Sequence, residues 1–229
     1  MGQVKEWDLG QATVRQVNQY LQHELNGDSS HVRILNPEGR HNIAVGLQAP
    51  ALVEIMGHAG YFIGGMNKEA EIIVHGNVGW SVAENMMSGV VRVRGNASEC
   101  AGASAHGGLL VIERDASSRC GISLKGADIV VGGSVGHLSA FMAQAGTLVV
   151  CGDAGPGLGD SLYEAVIYVR GRIEGLGADA RQEPLGEADV TKLTELLDRA
   201  EINATPRDFK RIASARTLYH WHVDAQQEY

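Results

Sequence analysis

Two carboxylates recur in like surroundings, Asp115 in Ile112-Glu113-Arg114-Asp115-Ala116-Ser117 and Asp153 in Val150-Cys151-Gly152-Asp153-Ala154-Gly155. Two carboxylates facing one substrate can share general acid and general base work, as in glycoside hydrolysis. Four dispersed histidines, His58, His75, His106 and His137, are of the type that binds metal or moves protons. Cys100, Cys120 and Cys151 supply thiols. Gly152-Asp153-Ala154-Gly155-Pro156-Gly157-Leu158-Gly159 follows an apolar run and has the outline of a loop that could cradle phosphate. Whether any of these groups meet depends on the elements that carry them.

Those elements are repeats. The octet Val53-Glu54-Ile55-Met56-Gly57-His58-Ala59-Gly60 returns at steps of 19 residues, starting at Ile72, Val91, Leu110, Ile129, Leu148 and Ile167, with no insertion. Stacking the repeats gives columns. The first and third positions are aliphatic throughout, from Val53 to Ile167 and from Ile55 to Val169, and they alternate with mixed residues. Period two with β-branched side chains predicts a strand with one buried face. The fifth column carries Gly57, Gly76, Gly95, Gly133, Gly152 and Gly171, with Arg114 as the exception. The eighth carries Gly60, Gly79, Gly136 and Gly155; the twelfth carries Gly64, Gly102, Gly121 and Gly159, with Ala83 and Ala140 between them.

A 19-residue unit of short strands and small corners cannot bury its apolar face alone, so it stacks on copies of itself. The expectation is an all-β fold, a right-handed single-stranded parallel β-helix with short α-helical flanks. Each coil rises about 4.8 Å, and handedness follows the crossover rule. Glycine is expected at corners of positive φ. This accounts for the composition: 30 of 229 residues are glycine and 5% are aromatic, while 44% are hydrophobic. Twenty-two of the glycines lie in residues 53–174.

The repeat reassigns the candidate chemistry. The sixth column, His58, Asn77, Asn96, Asp115, Ser134, Asp153 and Arg172, reads as a polar ladder bonding along the stack. As a catalytic pair, Asp115 and Asp153 stand two coils apart, about 9–10 Å, near the upper limit for an inverting glycosidase. Such enzymes usually carry long loops over one face, and this repeat has none. The glycines of Gly152–Gly159 fall on repeat columns, no amphipathic helix follows, and there is no G-x-x-x-x-G-K-[ST]. The four histidines fall in four columns, and the three cysteines are dispersed with no C-x-x-C. No catalytic, cofactor-binding or metal site is expected on this chain.

The flanks read as caps. Residues 1–29 form an N-terminal helical cap, with a helix over 8–26, Asp8 as N-cap, Gln11 at N3, Val14, Val17, Leu21 and Leu25 on one face, and Gly27 as stop. Residues 30–178 form the β-helix, whose first coil holds a strand at His31–Leu35 and a turn at Asn36–Gly39. Residues 179–229 form a helical and extended tail. In it, residues 176–186 are a loop, 189–200 a helix with Val190, Leu193, Leu196 and Leu197 on one face, and Thr205-Pro206-Arg207-Asp208 a second helix start. The extended, aromatic Arg216–Val223 is expected to dock on its own solenoid or on another chain. A net charge of −8 disfavours a phosphate backbone as partner. The absence of a signal-like N-terminus or membrane-length apolar run points to a cytoplasmic protein.

The spacing G-x-x-G-x-x-x-G stands whole in Gly57–Gly64 and in Gly152–Gly159. It resembles the C-terminal β-helix domain of the large subunit of glutamate synthase and the stand-alone subunits that share it, over residues 30–178. Among these, the length and the tail Arg211–Tyr219 look most like the β-helix subunit of N-methylglutamate synthase (methylamine–glutamate N-methyltransferase). The resemblance implies a non-catalytic scaffold in a hetero-oligomer. The implied partners are a class II glutamine-amidotransferase-like subunit and a glutamate-synthase-like subunit carrying FMN and an iron–sulfur cluster. The corresponding subunit of formylmethanofuran dehydrogenase uses the same repeat and is the nearest alternative. A carbohydrate-active solenoid and a self-assembling one are the others. Arg114, Ala83 and Ala140 depart from the motif.

Overall fold

The computed structural model describes residues 4–25 and 30–217. Its spine is one sheet of short strands stacked along the chain: β1 (Lys5–Asp8), β2 (Ser30–Leu35), β3 (Ala51–Met56), β4 (Glu71–Val74), β5 (Val90–Val93), β6 (Leu109–Ile112), β7 (Lys125–Val131), β8 (Ala145–Val150) and β9 (Val166–Val169). Each pairs in parallel with the next. From β3 onward the register runs in steps of 19, Val53 to Ile72 to Val91 and on to Ile167. The fold is the parallel β-solenoid that the repeat predicts. β2 meets β3 in a different register, Val32 opposite Val53, so the first coil is two residues longer.

A second wall of the prism is a chain of single bridges, Ala59–Val78–Ala97–Ala116–Val135–Ala154–Ile173. Both aliphatic columns are buried between the walls. The remaining side turns by alternation: the tenth, twelfth and fourteenth positions of the coils take left-handed φ. In one coil these are Phe62, Gly64 and Met66; in the next, Ser81, Ala83 and Asn85.

Glycine therefore has two distinct uses, and only one matches the sequence expectation. The twelfth column is left-handed, with φ from 56° to 71°, and Ala83 and Ala140 adopt the same conformation. The fifth column is left-handed only at Gly57. Elsewhere it is glycine because adjacent coils touch backbone to backbone: a Cβ on Gly76 would lie 2.7 Å from the Gly57 carbonyl carbon and oxygen. The positive-φ expectation for these corners is thus corrected to one of close approach. Arg114 stands in this column outside the left-handed region.

Both ends of the stack are closed by other elements. The N-terminal helix α1 spans Val14–His23, not 8–26, and its N-cap is Thr13, with Gln16 completing the capping box. Asp8 instead ends β1, where its Oδ1 accepts from Gly10 N–H and from Asn36 Nδ2, both at 2.7 Å. The expected apolar stripe is present: Val17 and Leu21 are buried, and Val14 and Leu25 pack beside them. In every later coil the inner N–H of the twelfth position bonds to the coil before it, as Gly64 N–H does to Ile43 O. Ala44 has no earlier coil, and Asn18 of α1 takes that role: its Oδ1 accepts from Ala44 N–H at 2.9 Å while its Nδ2 donates to Asn42 O at 2.6 Å. Gln22 donates to Val45 O at 2.7 Å. The Gly27 stop lies outside the described residues.

The C-terminal end departs further from the sequence reading. The expected loop 176–186 contains strand β10 (Ala180–Glu183). The expected second helix is a single 3-10 turn at Pro206–Asp208, followed by strand β11 (Lys210–Ser214). β11 pairs antiparallel with both β9 and β10. The last coil would otherwise present an open edge, and a strand satisfies that edge where a helix would not. Helix α2 (Glu187–Ala200) lies across the outside of the sheet. Leu193, Leu196, Leu197 and Ala200 bury there against Val111, Val130, Val149 and Tyr168. The buried Arg92 donates to the carbonyls of Ala200 and Arg199 at 2.8 and 3.1 Å, where a helix carries partial negative charge. Tyr168 Oη donates to Asp189 at 2.6 Å, and Arg211 bridges Asp189 and Glu183.

The two glycine uses differ in consequence. Gly76→Ala forces neighbouring coils apart and should destabilise by several kcal/mol, about that of a core overpacking. Gly121→Ala retains space, its nearest neighbour being Ile129 Cδ1 at 3.4 Å, and should cost about 1 kcal/mol for the left-handed φ. Chemical denaturation of both variants checks the order, and equal midpoints would contradict the backbone contact.

Candidate functional site

The sixth-column residues form one continuous ladder. Each side chain accepts from the backbone N–H of the next residue in the column: Asn77 N–H to His58 Nδ1 (2.9 Å), Asn96 to Asn77 Oδ1 (2.8 Å), Asp115 to Asn96 Oδ1 (3.1 Å), Ser134 to Asp115 Oδ1 (2.7 Å), Asp153 to Ser134 Oγ (3.0 Å) and Arg172 to Asp153 Oδ1 (2.7 Å). Asp115 and Asp153 are thus both engaged in the same structural bond, one coil's side chain satisfying the next coil's backbone. His58 accepts through Nδ1, so its ring proton sits on Nε2. Arginine has only donors, and the ladder ends at Arg172.

The other sequence candidates separate. In Gly152–Gly159 a Cβ on Gly152 would meet the Gly133 carbonyl carbon at 2.6 Å, so packing accounts for that glycine. His106 and His137 are exposed on different coils. Burial pushes the Cys120 thiol up to about 12 and raises Cys151 and Cys100 as well. All three are held as thiols, not as the thiolates that react or bind metal. Among the described residues no three of His, Cys, Asp and Glu converge as a ligand set.

The structure brings together one cluster that sequence reasoning missed. On the outer face of β2, β3 and β4, Glu54 sits between two histidines, with His31 Nε2 at 2.7 Å from Oε2 and His75 Nε2 at 2.9 Å from Oε1. Arg33 reaches Oε2 at 3.3 Å and Glu6 at 3.4 Å. The longer first coil hides this juxtaposition, because His31 aligns with the rest only under a step of 21. Burial works to raise the Glu54 pKa, but hydrogen bonds from His31, His75 and Arg33 outweigh it and hold the carboxyl below its ordinary value.

The outer surface is uneven. α2 covers the sheet from β6 to β9, and the Glu54 cluster covers it from β2 to β4. The arc from the ninth to the sixteenth position is uncovered. It holds eight of the nine large apolar side chains exposed among the described residues: Tyr61, Phe62, Met66, Trp80, Met87, Met142, Tyr163 and, in the last coil, Leu176. His41, Tyr61 and Trp80 occupy one column in successive coils and stack, with centroids 4.3 and 5.2 Å apart and planes 23° and 10° from parallel. Tyr61 and Trp80 share a column under the 19-residue step, a signal the sequence does carry; His41 joins them only through the longer first coil. The extended aromatic segment beyond Thr217 lies outside the described residues.

Two expectations follow. Asp115→Ala removes an acceptor from Ser134 N–H and should cost about 1 kcal/mol, whereas Asp115→Asn should be near neutral, since Asn77 and Asn96 do the same work; urea titration distinguishes them. Glu54 contributes stability that is complete above the unfolded carboxyl value of 4.5 and is lost as pH falls through its lower folded value. Glu54→Gln should flatten the acid limb of the stability profile while lowering stability at neutral pH.

No model of a known protein family matches the chain. It is similar along almost its whole length to a curated protein, Protein GlxC of Rhizobium meliloti (strain 1021), with 48% identity over 224 residues, covering 97% of this chain and 98% of that protein. The matched span of 224 residues extends over both caps as well as the solenoid. The chain belongs to the GlxC family, here a parallel β-solenoid with capped ends.

Proposed function

We propose that this chain is a non-catalytic scaffold and interface subunit of a glutamate-synthase-like complex. In its specific form the reading is the β-helix subunit of N-methylglutamate synthase. That complex exchanges the amino group of L-glutamate for methylamine, giving N-methylglutamate and ammonia. The support is a solenoid whose most regular polar column is engaged in bonds between its own coils, while one outer arc remains apolar and uncovered. Such a body offers rigid surface, which is what a subunit holding others in register needs. The G-x-x-G-x-x-x-G spacing gives the resemblance to glutamate synthase, and the full-length similarity to GlxC of Rhizobium meliloti is compatible with it.

On this reading the amidotransferase-like subunit supplies glutamine-type chemistry, and the glutamate-synthase-like subunit holds FMN and the iron–sulfur cluster. This chain binds neither cofactor. The tail Arg211–Tyr219, expected to be helical and to resemble the N-methylglutamate synthase subunit, begins within strand Lys210–Ser214. The resemblance to that subunit therefore rests on the length, the repeat and the residues of the tail, not on a helix.

Co-expression with the two partner types, followed by native mass measurement and assay with L-glutamate and methylamine, tests the proposal. A hetero-oligomer that turns over, with no turnover by this chain alone, is the expected result. Turnover by the isolated chain, or the absence of any association, would overturn it.

A further inference from the structure

Thr217 is the last described residue, and the last coil fixes it on the apolar arc. Met142 N–H bonds to Asp160 O of the next coil, and Ser161 N–H bonds to Ala178 O in the same way. Asp179 therefore follows Ser104, Ser123, Met142 and Ser161 in the fourteenth column, and it shares their left-handed φ. Its backbone oxygen accepts from Ala215 N–H at 2.7 Å, and its Oδ1 accepts from Thr217 N–H at 2.8 Å and from the Thr217 hydroxyl. The coils just before it carry the exposed Tyr163 and Met142 and the half-buried Phe141 and Ile122. A cavity of about 260 Å³, lined in part by Tyr163 and Arg216, opens beside the exit.

The sequence continues as Leu218-Tyr219-His220-Trp221-His222-Val223, outside the described residues. In an extended segment alternate side chains share a face, which would put Tyr219, Trp221 and Val223 on one apolar edge. Asp179 belongs to the last coil, so from Thr217 the arc runs in one direction only, back over the earlier coils. Six extended residues span about 20 Å, or about four coil spacings. That is the run from Asp179 past Tyr163, Met142 and Ile122 to Ser104. We infer that Leu218–Val223 lies along the fourteenth column of its own solenoid, with Tyr219 and Trp221 seated against Tyr163, Met142 and Ile122. Ser161, Ser123 and Ser104 are short side chains in that column and leave room for rings. The occupant is the chain's own segment because it is tethered at the patch, at an effective concentration on the order of millimolar that a separate molecule would have to exceed. The apolar segment stops short of Trp80 and Met66. The arc is thereby divided: the C-terminal coils take the tail, and the Tyr61–Trp80 stack stays outside it. The inference does not rest on the scaffold reading.

NMR of the full chain with labelled methyl groups tests the inference. Cross-relaxation should connect the Trp221 ring to the methyl groups of Met142 or Ile122. Trp221→Ala should shift those methyl resonances and leave those of Met66 and Met87 in place. Met142→Glu, a surface change, should move the Trp221 indole signal toward its position in a free peptide of residues 217–229. If Trp221→Ala and Tyr219→Ala both leave the Met142 and Ile122 resonances unshifted, or if the indole of the unaltered chain already stands at the free-peptide position, the inference fails. Contacts of Trp221 with Met66 in place of Met142 overturn the assigned seat. Contacts that appear only between differently labelled molecules in a mixed sample assign the segment to a second copy and overturn the inference as well. None of these outcomes bears on the scaffold reading, which the co-expression experiment tests separately.

Discussion

Everything in this molecule depends on coils lying one strand spacing apart, about 4.8 Å, along their whole circumference. In the sheet, hydrogen bonds enforce that spacing. At the corner after the sheet, in the coils that carry glycine there, there is no room for it to be enforced with side chains present; Arg114 is the one exception in the column. The Gly76 position lies against the Gly57 backbone, Gly95 against Gly76, and Gly152 against Gly133, each so near that a Cβ would fall inside van der Waals contact. The same corner carries the sixth-column ladder, in which one coil's side chain accepts from the next coil's N–H. Glycine lets the backbones approach, and the adjacent polar side chain bonds across the gap that results. The two columns are one device.

A stack held in this way must also stop. At the start, α1 stands in for a missing coil: the amide of Asn18 satisfies Ala44 and Asn42 as a backbone would. At the finish, the ladder reaches Arg172, which cannot accept, and β11 reverses direction to cover β9. Reversal matters, because an antiparallel strand closes the edge without offering the parallel register that another coil would use. Arg211, on that strand, reaches Asp189 at the start of α2, so edge closure and helix docking share a residue.

The array was legible because its constraint repeats. Aliphatic columns, glycine columns and the polar ladder each appear seven times or nearly so, and chance cannot mimic that. The caps were less legible because each occurs once. Thr13 and Gln16 give the same capping signature as Asp8 and Gln11, and only the pairing of β1 with β2 decides between them. Lys210–Ser214 has too little alternation to announce a strand; it becomes one because β9 needs a partner far away in sequence. The Glu54 cluster was hidden by two extra residues in the first coil. The seat of α2 was readable in principle: the outward second position changes from Glu54, Ile73 and Arg92 to Val111, Val130, Val149 and Tyr168.

That change in the second column also bears on the apolar arc. A solenoid outward face that is to meet water carries charge, as the Glu54 face does; one that is to be covered carries valine, as the α2 face does. This chain follows that rule where its own elements provide the cover. On the arc from the ninth to the sixteenth position it places a stacked Tyr61 and Trp80, with Phe62 and Met66 alongside, and none of its described elements lies over them. Large exposed apolar patches are costly in solubility and are rare on proteins that work alone. The sequence logic that pairs Val130 and Val149 with Leu193 and Leu196 has no counterpart on the arc among the described residues, where apolar side chains stand without an apolar element opposite them.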